Sequence, residues 1–208
     1  HLSNYHSHCS FCDGRSMPEE FVKFALAKSF RAYGISSHGP LPFETFWNMS
    51  AFDMPEYLVE ISRLKDKYQG HLEIYTGMEI DYLDTTYNPS IPYFQNLPLD
   101  YRIGSVHFLP IATELCEANM VCIDGPFSEF KQAVDTYFEG DIRKMVKRYY
   151  ESSIRMVELG GIDIVGHLDK IYMNGQRCKD FSFTAPWYRN MVNEYLEVIA
   201  GKGLIVEI

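Results

Sequence analysis

The amino-acid sequence predicts an α/β fold in which parallel strands alternate with helices and could close into a barrel. Segments typical of strands alternate with segments of helical periodicity over the whole length of the chain. A potential metal-binding side chain also stands at or near the carboxyl end of each of five consecutive predicted strands. In α/β barrels, that end of the strands carries the active site. No repeat or linker divides the chain, so we expect a single domain over residues 1–208.

The first part of the chain begins with a short predicted strand at residues 2–8. The sequence SMPE at 16–19 resembles a capping box, which would open a helix that ends near Phe30. Residues 33–38 (YGISSH) are typical of a buried strand, and residues 55–69 have the apolar spacing of a helix. These segments predict two strand–helix units in succession.

The rest of the chain continues the alternation. Its predicted elements are strands at 71–83 and 101–109, helices at 127–137 and 141–159, a strand at 162–167, a helix at 186–200 and a strand at 204–208. Residues 109–126 lack clear periodicity and follow a predicted strand directly. We therefore expect this segment to form a loop that covers the mouth of the site and helps to select the substrate.

Composition excludes several classes of protein. The hydrophobic fraction is 46%, which is normal for a globular domain, and no apolar run approaches the roughly 20 residues of a membrane-spanning helix. The net charge is −9 and no cluster of Lys and Arg is visible, so we expect neither a nucleic-acid nor a membrane partner. The five cysteines lack the spacing of a disulfide framework, which favours a reducing, cytoplasmic location.

The side chains at the strand ends point to a metal site. They are His6, His8, His38, Glu79, His107 and His167. His6 and His8 are two residues apart on an extended chain, so both side chains point to the same side and could chelate one ion. Asp13 adds an oxygen ligand, and Glu79 could bridge two ions. This mixture of nitrogen and oxygen donors favours Zn, Fe or Mn over Ca or Mg.

Simpler interpretations exist for each residue alone. A single histidine at a strand end is more often a hydrogen-bonded structural residue, but six such groups at five strand ends favour a shared role. Cys9 and Cys12 form a CxxC motif beside His6 and His8, so a closed Cys2His2 zinc site is an alternative. Its spacing is too compressed for a zinc finger, and two buried thiols are the simpler interpretation.

Five motifs together resemble the polymerase and histidinol phosphatase (PHP) superfamily: HSHCSFCDG, SSHG, GMEID, IGSVHFL and DIVGHLDKI. The run from SVHFL through VCIDG to DIVGHLDK resembles its histidinol-phosphatase branch, and the resemblance covers nearly the whole chain. It implies a distorted (β/α)7 barrel with a trinuclear metal centre. The metal ligands that it implies are His6, His8, Asp13, His38, Glu79, His107 and His167.

The resemblance also implies an activity. A metal-dependent phosphomonoesterase of this branch hydrolyses L-histidinol phosphate, a small phosphorylated substrate, to L-histidinol and phosphate during histidine biosynthesis. We expect two or three Zn, Fe or Mn ions and attack by a metal-bound hydroxide, because metal ions lower the pKa of bound water toward about 7. Asp13, Glu79 and His167 are the candidate catalytic residues.

Positive side chains near the predicted ligands could bind phosphate. The main candidates are Arg15 and Lys170, with Arg102 and Arg177 as further candidates, and a solvated surface charge is the alternative for each. Asp169 could orient a ligand through a hydrogen bond.

Acidic side chains in the 109–126 segment could in turn attract the amine and imidazole of histidinol phosphate. The candidates are Glu114, Glu117 and Asp124, which could equally be ordinary solvated charges.

One departure from the family pattern leaves alternatives open. The family supplies a further Asp-x-His pair from a later strand, and this chain reaches Ile208 before any such motif. We expect the sequence to be a fragment whose barrel lacks its last strand or strands. The alternatives are a PHP phosphoesterase acting on a nucleotide or on phosphotyrosine, and a metal-binding domain without catalysis. An amidohydrolase-type barrel also begins with HxH, but the GSVH and DG motifs fit it poorly.

Overall fold

The computed structural model of the chain describes residues 2–207, which fall into two compact units. Unit 1 contains the residues up to Ile80 together with Pro92–Ile103. Unit 2 contains Asp81–Ile91 and the residues from Gly104 onward. The terminal residues His1 and Ile208 of the predicted 1–208 domain lie outside the described residues.

Unit 1 is built on parallel strands. Its elements are β1 (Leu2–Asn4), α1 (Pro18–Ala27), β2 (Phe30–Ile35), α2 (Met54–Lys67), β3 (Glu73–Asp81), α3 (Pro92–Gln95) and the start of β4 (Tyr101–Ser105). Strand β2 pairs in parallel with β1 and with β3, and β4 follows β3 in the strand order. Helix α2 buries Tyr57, Ile61 and Leu64, which recur at helical spacing on its inner face.

Unit 2 combines the end of β4 with a hairpin, helices and two short strands. Its elements are β5 (Phe108–Pro110), a 3-10 turn (Glu117–Asn119), β6 (Met120–Cys122), α4 (Phe127–Tyr137), α5 (Ile142–Leu159), β7 (Ile164–Val165), α6 (Tyr172–Gly175), α7 (Pro186–Lys202) and β8 (Ile205–Val206). The strand order is β4-β7-β8, with β7 and β8 parallel, whereas β5 and β6 form an antiparallel pair. Helices α5 and α7 pack together through the buried rings of Tyr149, Tyr150 and Tyr195.

The predicted alternation of strands and helices is confirmed, with shorter strands than expected. The predicted capping box is wrong. Helix α1 begins at Pro18 after Met17, no side chain caps it, and the Glu19 carboxylate accepts hydrogen bonds from Arg63 and Lys67 of α2. The residue at the N-cap position is Met17, whose side chain has no oxygen to accept from the first turn, and Pro18 lowers the number of unpaired N–H groups there by one. The 109–126 segment, predicted as a loop, contains most of the β5–β6 hairpin.

Tyr101, the first residue of β4, packs against β2 and β3 of unit 1. Its ring lies against Gly34 of β2 and Gly77 of β3, where an added Cβ atom would come within 2.2 Å of the Tyr101 side chain in both cases. The hydroxyl of Tyr101 donates a hydrogen bond to the carbonyl of Tyr5. Two glycines thus make room for a ring that holds the backbone immediately before His6.

Among residues 2–207, the structure contains no helix that combines the length and apolar character needed to cross a bilayer.

Candidate metal-binding residues

In unit 1, the carboxylate of Glu79 is surrounded by imidazole nitrogens. The Glu79 side chain is fully buried, and its Oε2 atom lies 3.1 Å from His6 Nε2, 3.0 Å from His8 Nε2 and 3.0 Å from His38 Nδ1. The other ring nitrogen of His8, Nδ1, lies 3.0 Å from Asp13 Oδ1. The structure therefore brings together all five predicted ligands of this unit.

Backbone pairing explains this arrangement. Ser7 faces away from its two histidine neighbours: its hydroxyl donates to the carbonyl of Gly34, and its N–H donates to Ser36 Oγ. His6 and His8, on either side of Ser7, consequently point together toward Glu79. His38 forms an isolated parallel bridge with Glu79, which fixes these two residues side by side just beyond the end of β2.

The donor set of unit 1 suits a transition-metal ion. The ligand atoms of His6, His8 and Glu79 lie within 4.8 Å of one another, and so do those of His8, Asp13 and His38. Burying a carboxylate costs free energy unless positive charge or hydrogen bonds compensate for it, and a divalent cation among these atoms would do so. Imidazole and carboxylate donors are the ligands that Zn, Fe and Mn accept together.

In unit 2, His107 and His167 face each other. Their Nε2 atoms lie 3.2 Å apart, and their ring centroids lie 4.9 Å apart. Asp81 Oδ1 accepts a hydrogen bond from the backbone N–H of His107 at 3.1 Å and lies 2.9 Å from His107 Nδ1. If Nδ1 carries the proton toward Asp81, Nε2 of His107 keeps a lone pair that can bind a metal ion.

Sequence reasoning missed two carboxylates in this unit. Asp81 stands two residues after Glu79 in the same strand, and this spacing could have identified it as a second inward-facing carboxylate. Glu207 accepts a hydrogen bond from the backbone N–H of His167 at 3.0 Å, and nothing in the sequence LIVEI signals that contact. Asp169, predicted to orient a ligand, is exposed. Asp81 makes the ligand-orienting contact instead.

The predicted phosphate-binding residues differ in their surroundings. Arg15 is exposed in the loop after Asp13, where it is accessible to a ligand. Lys170 forms an ion pair with Asp124.

The two further arginine candidates make contacts that favour structural roles. Arg102 donates hydrogen bonds to the backbone carbonyls of Phe94, Gln95 and Leu97. The guanidinium of Arg177 lies over the ring of Phe127, 4.0 Å from its centroid.

The acidic residues of the 109–126 segment differ in their exposure to solvent. Glu114 and Glu117 are exposed, whereas the side chain of Asp124 is only 22% exposed. Burial opposes ionisation of Asp124, but the nearby His107 and Lys170 and hydrogen bonds from Cys122 and Lys170 outweigh it and lower the pKa of Asp124 below its usual value. Asp124 is therefore a sheltered negative charge beside His107.

The cysteines do not support the zinc-finger alternative. Cys9 is completely buried, and burial raises the pKa of its thiol above the usual value and that of Cys12 to about 11. Within the described part of the chain, neither residue belongs to a group of side chains that could hold a metal ion. The Cys9 thiol lies 3.1 Å from Ser37 Oγ, and the Cys12 thiol lies 3.4 Å from Asp13 Oδ1, so their contacts are hydrogen bonds and not those of a Cys2His2 site.

Comparisons with known proteins show which family the chain resembles. The family model described as "PHP domain" matches residues 4–208. The "Probable histidinol-phosphatase" of Deinococcus radiodurans is 28% identical over 209 aligned positions, which span 99% of this chain and 72% of that protein. The histidinol-phosphatase of Bacillus subtilis is 31% identical over 160 positions, which span 71% of this chain and 56% of that protein.

Solved structures show the same fold. A Listeria monocytogenes protein assigned to the histidinol phosphatases superposes with a TM-score of 0.82 at 21% identity, covering 99% of this chain and 81% of its own. The Lactococcus lactis histidinol phosphate phosphatase, solved with zinc, L-histidinol and phosphate, superposes with a TM-score of 0.73 at 22% identity, covering 99% and 72%. The fold class predicted from the sequence, α/β of the PHP type, is confirmed. With a family match over residues 4–208, this chain belongs to the PHP domain family.

Proposed function

We propose that this chain is a metal-dependent phosphomonoesterase that hydrolyses L-histidinol phosphate to L-histidinol and phosphate in histidine biosynthesis. The observation that carries the proposal is the buried Glu79 carboxylate, with nitrogen atoms of three imidazoles within 3.1 Å of one of its oxygens. Family membership supports it, as do the relatives named histidinol-phosphatase. The Lactococcus lactis structure, which holds zinc, L-histidinol and phosphate, supports both the metal and the substrate.

We assign the metal-binding role to seven side chains: His6, His8, Asp13, His38, Glu79, His107 and His167. They would hold two or three divalent ions of zinc, iron or manganese. Such ions bind phosphoryl oxygens and lower the pKa of water, so that no protein nucleophile is needed. The chain thus acts mainly by positioning these ions and the ester.

Several residues would act on the substrate. Arg15 and Lys170 are the proposed partners of the phosphoryl oxygens, since their side chains supply the positive charge that a phosphate dianion requires. Asp13, Glu79 and His167, which also belong to the proposed ligand set, are the proposed catalytic residues. We further propose that the chain forms one PHP domain and works in the cytoplasm on a small substrate.

The test combines metal analysis with turnover. The chain is purified, loaded with Zn, Mn or Fe, and analysed for metal per chain and for phosphate release from L-histidinol phosphate, AMP and a phosphotyrosine peptide. We expect at least two metal ions per chain and preferential release from L-histidinol phosphate. Bound metal without turnover of any ester would overturn the proposal in favour of a non-catalytic metal-binding domain. Preferential release from AMP or from the phosphotyrosine peptide would overturn the proposal that L-histidinol phosphate is the substrate.

A matched pair of variants controls the assay. His8→Ala removes a proposed ligand, and His71→Ala removes an exposed histidine that lies outside the proposed ligand set. Loss of both metal and turnover is expected for His8→Ala and not for His71→Ala.

A further inference from the structure

An ion pair in unit 2 lies beside the two histidines of that unit. Lys170 Nζ is 3.3 Å from Asp124 Oδ2, and the two side chains are 27% and 22% exposed. By comparison, the Lys131–Asp135 pair on α4 is 49% and 53% exposed. The Asp124–Lys170 pair is therefore sheltered from solvent but still reachable by a ligand, and its charges are screened less than those of a surface pair.

Both partners are tied to the histidines through the backbone. The N–H of Ile123, the residue before Asp124, donates to the carbonyl of His107 at 2.9 Å. The N–H of Lys170 donates to the carbonyl of His167, also at 2.9 Å. One backbone hydrogen bond thus positions Asp124 relative to His107, and another positions Lys170 relative to His167.

The carboxylate of Asp124 is also held rigidly. The side-chain amide of Asn174, which is 2% exposed, donates to the carbonyls on both sides of Asp124, those of Ile123 at 3.0 Å and Gly125 at 2.9 Å. The thiol of Cys122 lies 3.2 Å from Asp124 Oδ1 and can donate to it. A charge fixed in this way loses little conformational entropy when a ligand binds.

A ligand that carries one positive and one negative group could replace the contact between Asp124 and Lys170 with two contacts of its own. In L-histidinol phosphate, an ammonium group stands on the carbon next to the esterified carbon, so positive and negative charges lie close together. Its ammonium could take the place of Lys170 at Asp124, and its phosphate could take the place of Asp124 at Lys170. An ester without the ammonium would bring its phosphate toward Asp124 with nothing to balance the like charges.

Resting on the proposed function, we propose that Asp124 and Lys170 together recognise a phosphate ester that carries a neighbouring ammonium group. Asp124 binds the ammonium and sets specificity, and Lys170 binds the phosphate. The pair selects amino-alcohol phosphates over esters that lack an amine.

The experiment compares two substrates in three forms of the metal-loaded chain. The substrates are L-histidinol phosphate and its desamino analogue, 3-(imidazol-4-yl)propyl phosphate, and the forms are the unchanged chain, Asp124→Asn and Lys170→Gln. Loss of one charge-assisted hydrogen bond should raise KM for L-histidinol phosphate about 10-fold or more in Asp124→Asn. KM for the analogue should not rise in that variant and should fall if anything, because the negative charge that opposes its phosphate is removed. Lys170→Gln should lower kcat/KM for both substrates.

Binding of L-histidinol, measured by calorimetry, gives a second readout that does not depend on turnover. Asp124→Asn should weaken this binding, while Asp135→Asn and Lys131→Gln, which alter the exposed pair on α4, should leave both binding and kcat/KM unchanged. Equal effects of Asp124→Asn on both substrates would overturn the inference.

Turnover of the two substrates by the unchanged chain also tests the proposed amine selectivity, and this measurement does not depend on whether a variant folds. Equal turnover of the two substrates by the unchanged chain would overturn the amine selectivity and leave the phosphatase function standing. Turnover of neither would overturn both.

Discussion

The contact between Asp81 and His107 illustrates how a single side chain prepares a metal ligand. Both residues are buried, and Asp81 Oδ1 engages the backbone N–H and the ring Nδ1 of the same histidine. With Nδ1 held in this way, rotation of the ring would break a hydrogen bond, so Nε2 stays directed toward His167. Partners of this kind orient metal-binding histidines and increase their basicity.

Replacing Asp81 with Asn should therefore weaken metal binding while leaving every proposed ligand in place. The amide keeps the shape but removes the negative charge that favours the Nδ1–H form of His107. We expect the affinity for Zn to fall about 10- to 100-fold, measured by competition with a chromogenic chelator. The control is Glu73→Gln on the same strand, whose side chain is 54% exposed. Unchanged Zn affinity in Asp81→Asn would contradict a positioning role.

The sequence pointed to candidate metal ligands more clearly than to the residues that form hydrogen bonds near them. His6, His8 and Glu79 could be proposed as ligands because ligand-type residues recur at predicted strand ends, and that pattern is visible in the sequence itself. Asn174 and Glu207 act through contacts with residues 51 and 40 positions away along the chain. No local pattern encodes such contacts, because the partner of each residue depends on which segments become neighbours in the fold.

At the scale of secondary-structure elements, strands were predicted in the right order but with the wrong lengths. The predicted strand at 2–8 is paired as β1 only over Leu2–Asn4, and His6 and His8 follow it. Ser7 nevertheless forms hydrogen bonds with Gly34 in β2 and with Ser36 just after it, so contacts with this strand continue past the paired residues. The β5–β6 hairpin was not predicted because its strands are three residues each, too short to show a period of two.

The packing of β2, β3 and β4 leads to a stability prediction at Gly77. A methyl group there would meet the ring of Tyr101 at 2.2 Å, and the ring is held in place by its hydrogen bond to Tyr5. Gly77→Ala should therefore destabilise the chain by about 1–3 kcal/mol or more, through forced displacement of the ring. The measurement is the midpoint of urea unfolding followed by circular dichroism.

A second glycine provides a control, since its replacement by alanine should increase stability and not decrease it. Gly201 lies in α7 and has no atom within 4 Å of an added Cβ. Alanine there should stabilise the helix by up to about 1 kcal/mol, because it removes the backbone freedom that glycine has in the unfolded chain. If both alanine variants shift the midpoint in the same direction, the close approach of Tyr101 does not limit substitution at Gly77.

At the scale of the whole molecule, stability should be coupled to metal binding. The chain has a net charge of −9 and buries the carboxylates of Glu79 and Asp81. A ligand that binds the native state and not the unfolded state stabilises the chain by about 2.7 kcal/mol at 100 times its dissociation constant. For a chain of this length, each kcal/mol raises Tm by roughly 2–4 °C. Zinc or manganese should thus raise Tm by about 5–10 °C, and a chelator should reverse the shift.

Glu79→Gln separates metal binding from folding in the same measurement. The variant keeps the shape of the side chain and removes a buried charge, which relieves the cost of desolvating that charge in the metal-free chain. Without metal, its Tm should equal or exceed that of the unchanged chain, whereas metal should raise it far less. Glu20→Gln, at a side chain that is 59% exposed on α1, should respond to metal like the unchanged chain. An equal metal-induced rise in Tm for Glu79→Gln would show that the buried carboxylate is a structural group and not a metal ligand.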